Sequence, residues 1–228
     1  MDLFGDALTN YFENNAADIL WLHNNYGEKE EMPVDVFFRS KVEMTDMELY
    51  AHNYCRGKIL DAGAGTGSHS LLLQTMGFNV TALEISQKAC SIMRARGVKE
   101  VVNQDFFSYR NEKYDTILLL MNGIGLSGNL IGLDLLLDHC SELLTTKGRI
   151  IFDSSDISYL YEGTALPKDK YYGEISYCYE YKNRMGTWFN WLYVDVKTLR
   201  SVLVQKGFDL EILLRDEHDQ YLGIICRK

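Results

Sequence analysis

The chain is poor in proline, in positive charge and in long apolar runs. Two of its 228 residues are proline, Pro33 and Pro167. Each falls between patterned stretches, so regular elements can run through most of the sequence. Lysine and arginine number 23 against 32 acids, a formal charge of −9. That balance gains little from phosphate neutralisation, and no basic run is visible, which argues against an extended nucleic-acid footprint. No apolar run reaches the roughly 18 residues that span a bilayer. The opening stretch MDLFGDALTNYFENNAADI carries acids where a signal peptide needs a basic start and an apolar centre. Five cysteines, at 55, 90, 140, 178 and 226, form no CxxC and no Cys/His pair at metal spacing. These absences predict a cytoplasmic protein with reduced thiols, no metal and no membrane contact.

What is present is a core former, with 46% apolar residues. Residues 1–55 read as helical pieces, carrying Leu8, Tyr11 and Phe12, then Ile19, Leu20 and His23, then Leu49 to Tyr54. From 58 the rhythm changes to strands at 58–62, 78–83, 100–103, 114–121 and 149–153. Helices at 66–76, 87–96 and 130–144 alternate with them, the last ending near Lys147-Gly148. Such alternation predicts a doubly wound α/β fold with a mostly parallel sheet. After 153 the pattern breaks into an aromatic-rich stretch. Two strands, 174–181 and 187–194, form a hairpin around Asn183-Arg184-Met185-Gly186. A helix at 196–206 and two antiparallel strands, 208–214 and 221–226, close the chain.

The segment Ile59-Leu60-Asp61-Ala62-Gly63-Ala64-Gly65-Thr66-Gly67 joins the first of these strands to the first helix. Its glycines allow a tight turn and close approach of a ligand to the backbone, and the helix that follows offers free N–H groups. A dinucleotide fingerprint G-x-G-x-x-G would need a third glycine at 68, where Ser68 stands. Asp61, two residues before the first glycine, would repel a pyrophosphate but suit a cationic amine. S-adenosylmethionine has an amino group, a sulfonium and no phosphate. Glu84 ends the second strand, 23 residues after Asp61, and can accept both ribose hydroxyls. Asp105 follows the third strand and can accept from an adenine amine, with Phe106 near the ring.

These residues resemble the class I S-adenosylmethionine-dependent methyltransferases. LDAGAGTG matches their first motif, Glu84 in Ala82-Leu83-Glu84-Ile85-Ser86 the second, and Gln104-Asp105 the third. Met121-Asn122-Gly123-Ile124-Gly125 occupies the place of the fourth, without its Asn/Asp-Pro-Pro-aromatic form. The resemblance covers 55–153 and, through the last strand, 221–226. It implies a seven-stranded sheet of order 3-2-1-4-5-7-6 with the seventh strand reversed, and S-adenosyl-L-methionine as cofactor. It further implies that Asp61, Gly63, Ala64, Gly65, Thr66 and Gly67 line the methionine part. Glu84 would hold the ribose, Asp105 with Phe106 the adenine, and Ile85, Met121 and Asn122 would complete the cofactor site. The missing fourth motif favours a small-molecule acceptor over nucleic acid or protein.

Residues 1–55 are expected to form a helical lid on a domain of residues 56–228, with 154–195 as an aromatic insertion. Tyr11, Trp21 and His23 in the lid, and Tyr171, Trp188 and Trp191 in the insertion, are candidate acceptor contacts. Packing of a small sheet is the plainer role for the aromatics. His23, His69 and the clustered tyrosines are the only candidates for a base, and none stands out. Arg39 has an equal claim to the cofactor carboxylate and to a surface role. Two other readings remain open at this point: an NAD(P)-dependent oxidoreductase and a non-catalytic S-adenosylmethionine-binding protein.

Overall fold

The computed structural model describes residues 1–14 and 18–228. In chain order the elements begin with α1 (Leu3–Asn14), β1 (Leu20–Asn24), β2 (Glu30–Met32), a 3₁₀ turn at Asp35–Phe38 and α2 (Asp46–His52). The alternating part follows as β3 (Lys58–Ala62), α3 (Ser68–Thr75), β4 (Asn79–Glu84), α4 (Gln87–Arg96), β5 (Glu100–Asn103), β6 (Tyr114–Leu119), α5 (Leu130–Leu143) and β7 (Leu144–Ser155). The chain ends with β8 (Glu174–Tyr181), β9 (Arg184–Met185), β10 (Phe189–Leu192), α6 (Val196–Lys206), β11 (Phe208–Arg215) and β12 (Gln220–Arg227).

A seven-stranded sheet has the order β5-β4-β3-β6-β7-β12-β11. This is the 3-2-1-4-5-7-6 arrangement expected from the sequence. β12 runs antiparallel to both β7 and β11, while β4–β5 and β6–β7 are parallel. β6 is apolar on both faces because it is covered on both, and Ile117, Leu118 and Leu119 are wholly buried. Helix ends obey local chemistry. Ser86 caps α4 by accepting from the Ala89 amide, and Asp195 caps α6 by accepting from Lys197 and Thr198.

The chain separates into two compact units. One comprises residues 1–45, 60–109 and 176–189, the other 46–59, 110–175 and 190–228. In the first, Leu3, Ala7 and Leu8 of α1 pack with Leu20 of β1, Val34, Ala89 and Ile92 of α4, and Tyr181 of β8. In the second, β6, β7 and β12 supply a core that includes Leu118, Phe152, Leu222 and Ile225.

Three expectations need correction. The stretch around Leu20 and His23 is a strand, not a helix. Leu20 and Leu22 are buried while Trp21 and His23 are half-exposed, a period of two. The strand exists because β8 supplies a partner far away in sequence, with Leu20 opposite Tyr181, 161 residues on, and Leu22 opposite Tyr179. The aromatic hairpin is therefore part of a five-stranded sheet, order β10-β8-β1-β2, with β9 also on β8. Its turn falls on Lys182 and Asn183, both with positive φ, before the expected Asn183–Gly186 position. Finally, α5 stops at Leu143 and β7 begins at once. A register break between Tyr114↔Leu144 and Thr116↔Arg149 absorbs the Lys147-Gly148 pair inside the strand.

Candidate functional site

The loop after β3 is built to bring backbone close to a guest. Gly63, Gly65 and Gly67 have φ of +74°, +56° and +83°, values that side chains disfavour. The amides of Gly63 and Ala64 donate to the Leu83 carbonyl at 2.9 and 3.1 Å, which fastens the loop to β4. A methyl at Gly67 would lie 2.7 Å from Val98, so that glycine is also demanded by packing.

Two buried acids close this loop. Asp61 accepts from the Ser70 hydroxyl at 2.6 Å, and burial pushes its carboxyl up to about 6. Glu84 accepts from the Gly65 amide through Oε2 at 3.0 Å and from the Ser86 amide through Oε1 at 2.8 Å. Burial raises its pKa against the pull of those amides. Ile85, beside it, is 69% exposed, an apolar side chain that a flat ring could cover. Asp105 caps a 3₁₀ turn and accepts from the Ser108 amide at 3.1 Å, with Phe106 buried next to it. These groups suit a ligand with an ammonium and ribose hydroxyls. A pyrophosphate would face two carboxylates.

A cover lies on the loop from the Asp35–Phe38 turn. The Phe37 carbonyl accepts from the hydroxyls of Thr66 and Ser68, the latter at 2.8 Å. Arg96, at the end of α4, donates to the Thr66 carbonyl at 2.8 Å, the Thr66 hydroxyl at 2.6 Å and the Phe38 carbonyl at 3.2 Å. Its guanidinium stands 5.3 Å from the Phe38 ring centre. Sequence reasoning missed Arg96 and Phe37. An arginine in a last helical turn reads as ordinary dipole complement, and no local pattern marks it otherwise. Arg39 donates to the Val36 carbonyl at 2.9 Å; burial, and secondarily the Arg39 charge, lowers His69 to about 4. A neutral, buried His69 beside the loop is poorly placed to accept protons near neutrality.

An aromatic series starts on this loop. A methyl at Gly65 would lie 3.6 Å from the Phe37 ring. Phe37 meets Phe4 edge-on at 4.9 Å, Phe4 stacks on Tyr179 at 5.6 Å, and Tyr179 meets Phe189 at 5.2 Å. Tyr11 packs on Phe38 at 4.8 Å, beside the Arg96 cation rather than on this series. Trp21 and His23 do not converge with these rings. The β1–β8 register puts them on the other face of the sheet, where His23 meets Glu180 at 2.7 Å and Lys29 sits over Trp21 at 4.5 Å. Trp188 is 57% exposed.

The second unit holds the turn after β6. Met121 and Asn122 both have positive φ, +57° and +55°. The Asn122 amide donates to both carboxylate oxygens of Asp153, Asn122 Nδ2 donates to the Leu192 carbonyl at 3.2 Å, and Asn122 Oδ1 is buried with no partner among the described residues. Burial pushes Asp153 up to about 6. Trp191 lies against Gly125, where an added methyl would collide with the indole. The Tyr171 hydroxyl is held by Asp195 at 2.6 Å. Asp153 was missed although it carries the same signal as Asp61 and Glu84, an acid ending an apolar strand. Among the described residues, no three His, Cys, Asp or Glu side chains are grouped to hold a metal ion, and no helix is long and apolar enough to cross a membrane.

A glycine loop with acids at successive strand ends, on this strand order, defines a nucleoside-binding α/β domain without a phosphate cradle. A family model described as a methyltransferase domain matches residues 60–152. A crystal structure of an S-adenosylmethionine-dependent methyltransferase from Bacteroides fragilis, in complex with S-adenosyl-L-homocysteine, is 35% identical and covers 100% of this chain and 95% of that one, with a TM-score of 0.91. The chain belongs to the S-adenosylmethionine-dependent methyltransferases. This settles the choice against the dinucleotide reading and makes S-adenosyl-L-methionine the cofactor. Two further solved structures share the fold. One is the glycopeptide N-methyltransferase MtfA complexed with S-adenosylmethionine, 15% identical, covering 80% of this chain and 93% of that chain at a TM-score of 0.57. The other is the sugar N-methyltransferase KedS8 from Streptoalloteichus sp, 15% identical, covering 90% and 97% at a TM-score of 0.60. No curated protein matches the sequence.

Proposed function

We propose that this methyltransferase acts on a small molecule seated against aromatic side chains beside the glycine loop. The observation that carries the reading is the ring series from Phe37 through Phe4 and Tyr179 to Phe189, which begins over Gly65, where a methyl would touch the Phe37 ring. Aromatic faces favour flat or cationic acceptors and keep water away from the reacting atoms.

In this reading Asp61 and the glycine backbone receive the amino-acid end of the cofactor, Glu84 the ribose, and Asp105 with Phe106 and Ile85 the base. Within the second unit, Met121 and Asn122 stay cofactor candidates and Trp191 an acceptor candidate, and Tyr171 buttresses the insertion through Asp195. The bound cofactor supplies a methyl group already activated on a sulfonium. The protein therefore contributes alignment and dryness more than acid–base chemistry. An acceptor of low pKa would need no base, in keeping with the absence of an obvious one among the described residues. Residues 1–55 serve as lid and 154–195 as acceptor-side insertion, in a cytoplasmic setting.

The test has two stages. Calorimetry with S-adenosylhomocysteine is expected to show binding, lost in Asp61→Ala. Methyl-labelled cofactor, incubated with a library of small amines, phenols and thiols, is expected to yield labelled small products. Label appearing only in protein or RNA would reject the small-molecule reading.

A further inference from the structure

We infer that Arg96 is a positioning residue of the cofactor loop and latches the Asp35–Phe38 turn down on it. The inference rests on the cofactor reading of the loop given above.

The guanidinium spans two chain segments that have no covalent reason to stay together. From one nitrogen, Nη1, it reaches the Thr66 carbonyl at 2.8 Å, the Thr66 hydroxyl at 2.6 Å and the Ser68 hydroxyl at 3.2 Å. The same nitrogen is 3.5 Å from the Phe37 carbonyl, and Nη2 donates to the Phe38 carbonyl at 3.2 Å. The Phe38 ring lies under the cation. Thr66 and Ser68 complete the bridge by donating directly to the Phe37 carbonyl. Glycine loop, turn and helix end thus share one cation, and burial of that cation lowers its pKa from the usual arginine value.

The chemistry fits a planar fork and little else. Five donors in a fixed plane serve carbonyls on two segments at once, which an ammonium on a flexible stem does poorly. Beside the guanidinium, the Thr66 and Ser68 hydroxyls tie the loop to the Phe37 carbonyl, and both of them also take a bond from Arg96. Phe37, next to Gly65, is the side chain that the latch holds in place. When the latch is closed, the Phe37 ring covers the loop where the amino-acid end of the cofactor is read to sit. Entry and exit then require the Arg96 bonds to Phe37 and Phe38 to open.

A latch and a mere prop predict different kinetics. If Arg96 only supported the fold, its loss would slow association or leave it unchanged, speed dissociation and lower thermal stability. If Arg96 closes a cover, its loss speeds both association and dissociation. The experiment is stopped-flow binding of S-adenosylhomocysteine to wild type, Arg96→Met, Arg96→Lys and Ser68→Ala, with the melting temperature of each. For Arg96→Met, both rate constants are expected to rise by about tenfold, the scale of a lost charge-assisted hydrogen bond. Arg96→Lys should fall between wild type and Arg96→Met, and Ser68→Ala, which removes the 3.2 Å contact from Arg96 and the 2.8 Å bond to the Phe37 carbonyl but leaves the Thr66 and Phe38 contacts, should show a smaller rise in both. A rise in dissociation alone, or unchanged rates in a folded Arg96→Met or Arg96→Lys protein, would overturn the inference. Failure of wild type to bind S-adenosylhomocysteine would overturn the cofactor reading itself, a separate and visible outcome.

Discussion

The backbone amide of Asn122 points at both carboxylate oxygens of Asp153, at 3.1 and 3.0 Å. Asn122 and Met121 hold left-handed backbone without being glycine. Such conformations cost about 1 kcal/mol or more each and persist where surroundings enforce them. Asp153, fixed in turn by Gln220 Nε2 at 3.0 Å, is the enforcing group. The strained turn and the acid that holds it come from adjacent strand ends, β6 and β7.

Asp153→Ala is therefore expected to cost about 1–3 kcal/mol, the desolvation cost of a buried amide left without its acceptor. Asp153→Asn keeps one carbonyl oxygen for that amide and should cost less. Urea denaturation of the two variants checks the order. Equal losses would show that the carboxylate does not hold the turn.

Gly125 has no room for a side chain because the Trp191 indole occupies the place. Gly125→Ala should destabilise by about 1–3 kcal/mol through overpacking. Combined with Trp191→Ala, the penalty at 125 should shrink, and a double-mutant cycle would read this as a coupling of about 0.5 kcal/mol or more. Additive losses would place the two residues apart in solution.

The buried ionisable groups oppose one another in pH. Asp61 and Asp153 have pKa values raised from 3.8 to about 6. Between those values the unfolded chain binds fewer protons than the folded one, so stability falls as pH rises. His69 is lowered from 6.5 to about 4, so the unfolded chain binds more protons in that window and stability rises with pH. Each displacement is worth about 3 kcal/mol in order of magnitude. His69→Gln is thus expected to steepen the fall in stability from pH 4 to 6.5, and Asp61→Asn to flatten it. Denaturant midpoints across that range measure both slopes; the opposite ordering would refute the assignment.

Glu84 uses one oxygen for Gly65 and the other for Ser86. Glu84→Gln turns an NH₂ toward one of these amides. Affinity for S-adenosylhomocysteine is expected to drop by roughly tenfold or more, the scale of a charge-assisted bond lost. Titration calorimetry measures it. An unchanged affinity would remove Glu84 from the ribose.

The large sheet was readable because its parallel strands are short apolar runs, three of them, β3, β4 and β5, each starting one to three residues after a glycine, Gly57, Gly77 or Gly97. β5 and α6 even match their expected bounds, since Asn103 and Gly207 punctuate them. The glycine loop and Glu84 were legible for the same reason, as local chemistry at strand ends. β1 was not legible. Its alternation is five residues long and acquires meaning only beside Tyr179 and Tyr181. Nor was Arg96, whose partners at 37, 38, 66 and 68 lie at unrelated spacings.

The pairing of Leu20 with Tyr181 spans 161 residues. During synthesis β1 leaves the ribosome long before β8 exists, and its unpaired amides must wait while α3, α4 and α5 are made. Contacts of such separation form late and slowly. A stalled or truncated nascent chain would thus present an open strand edge to its neighbours, a ready template for association.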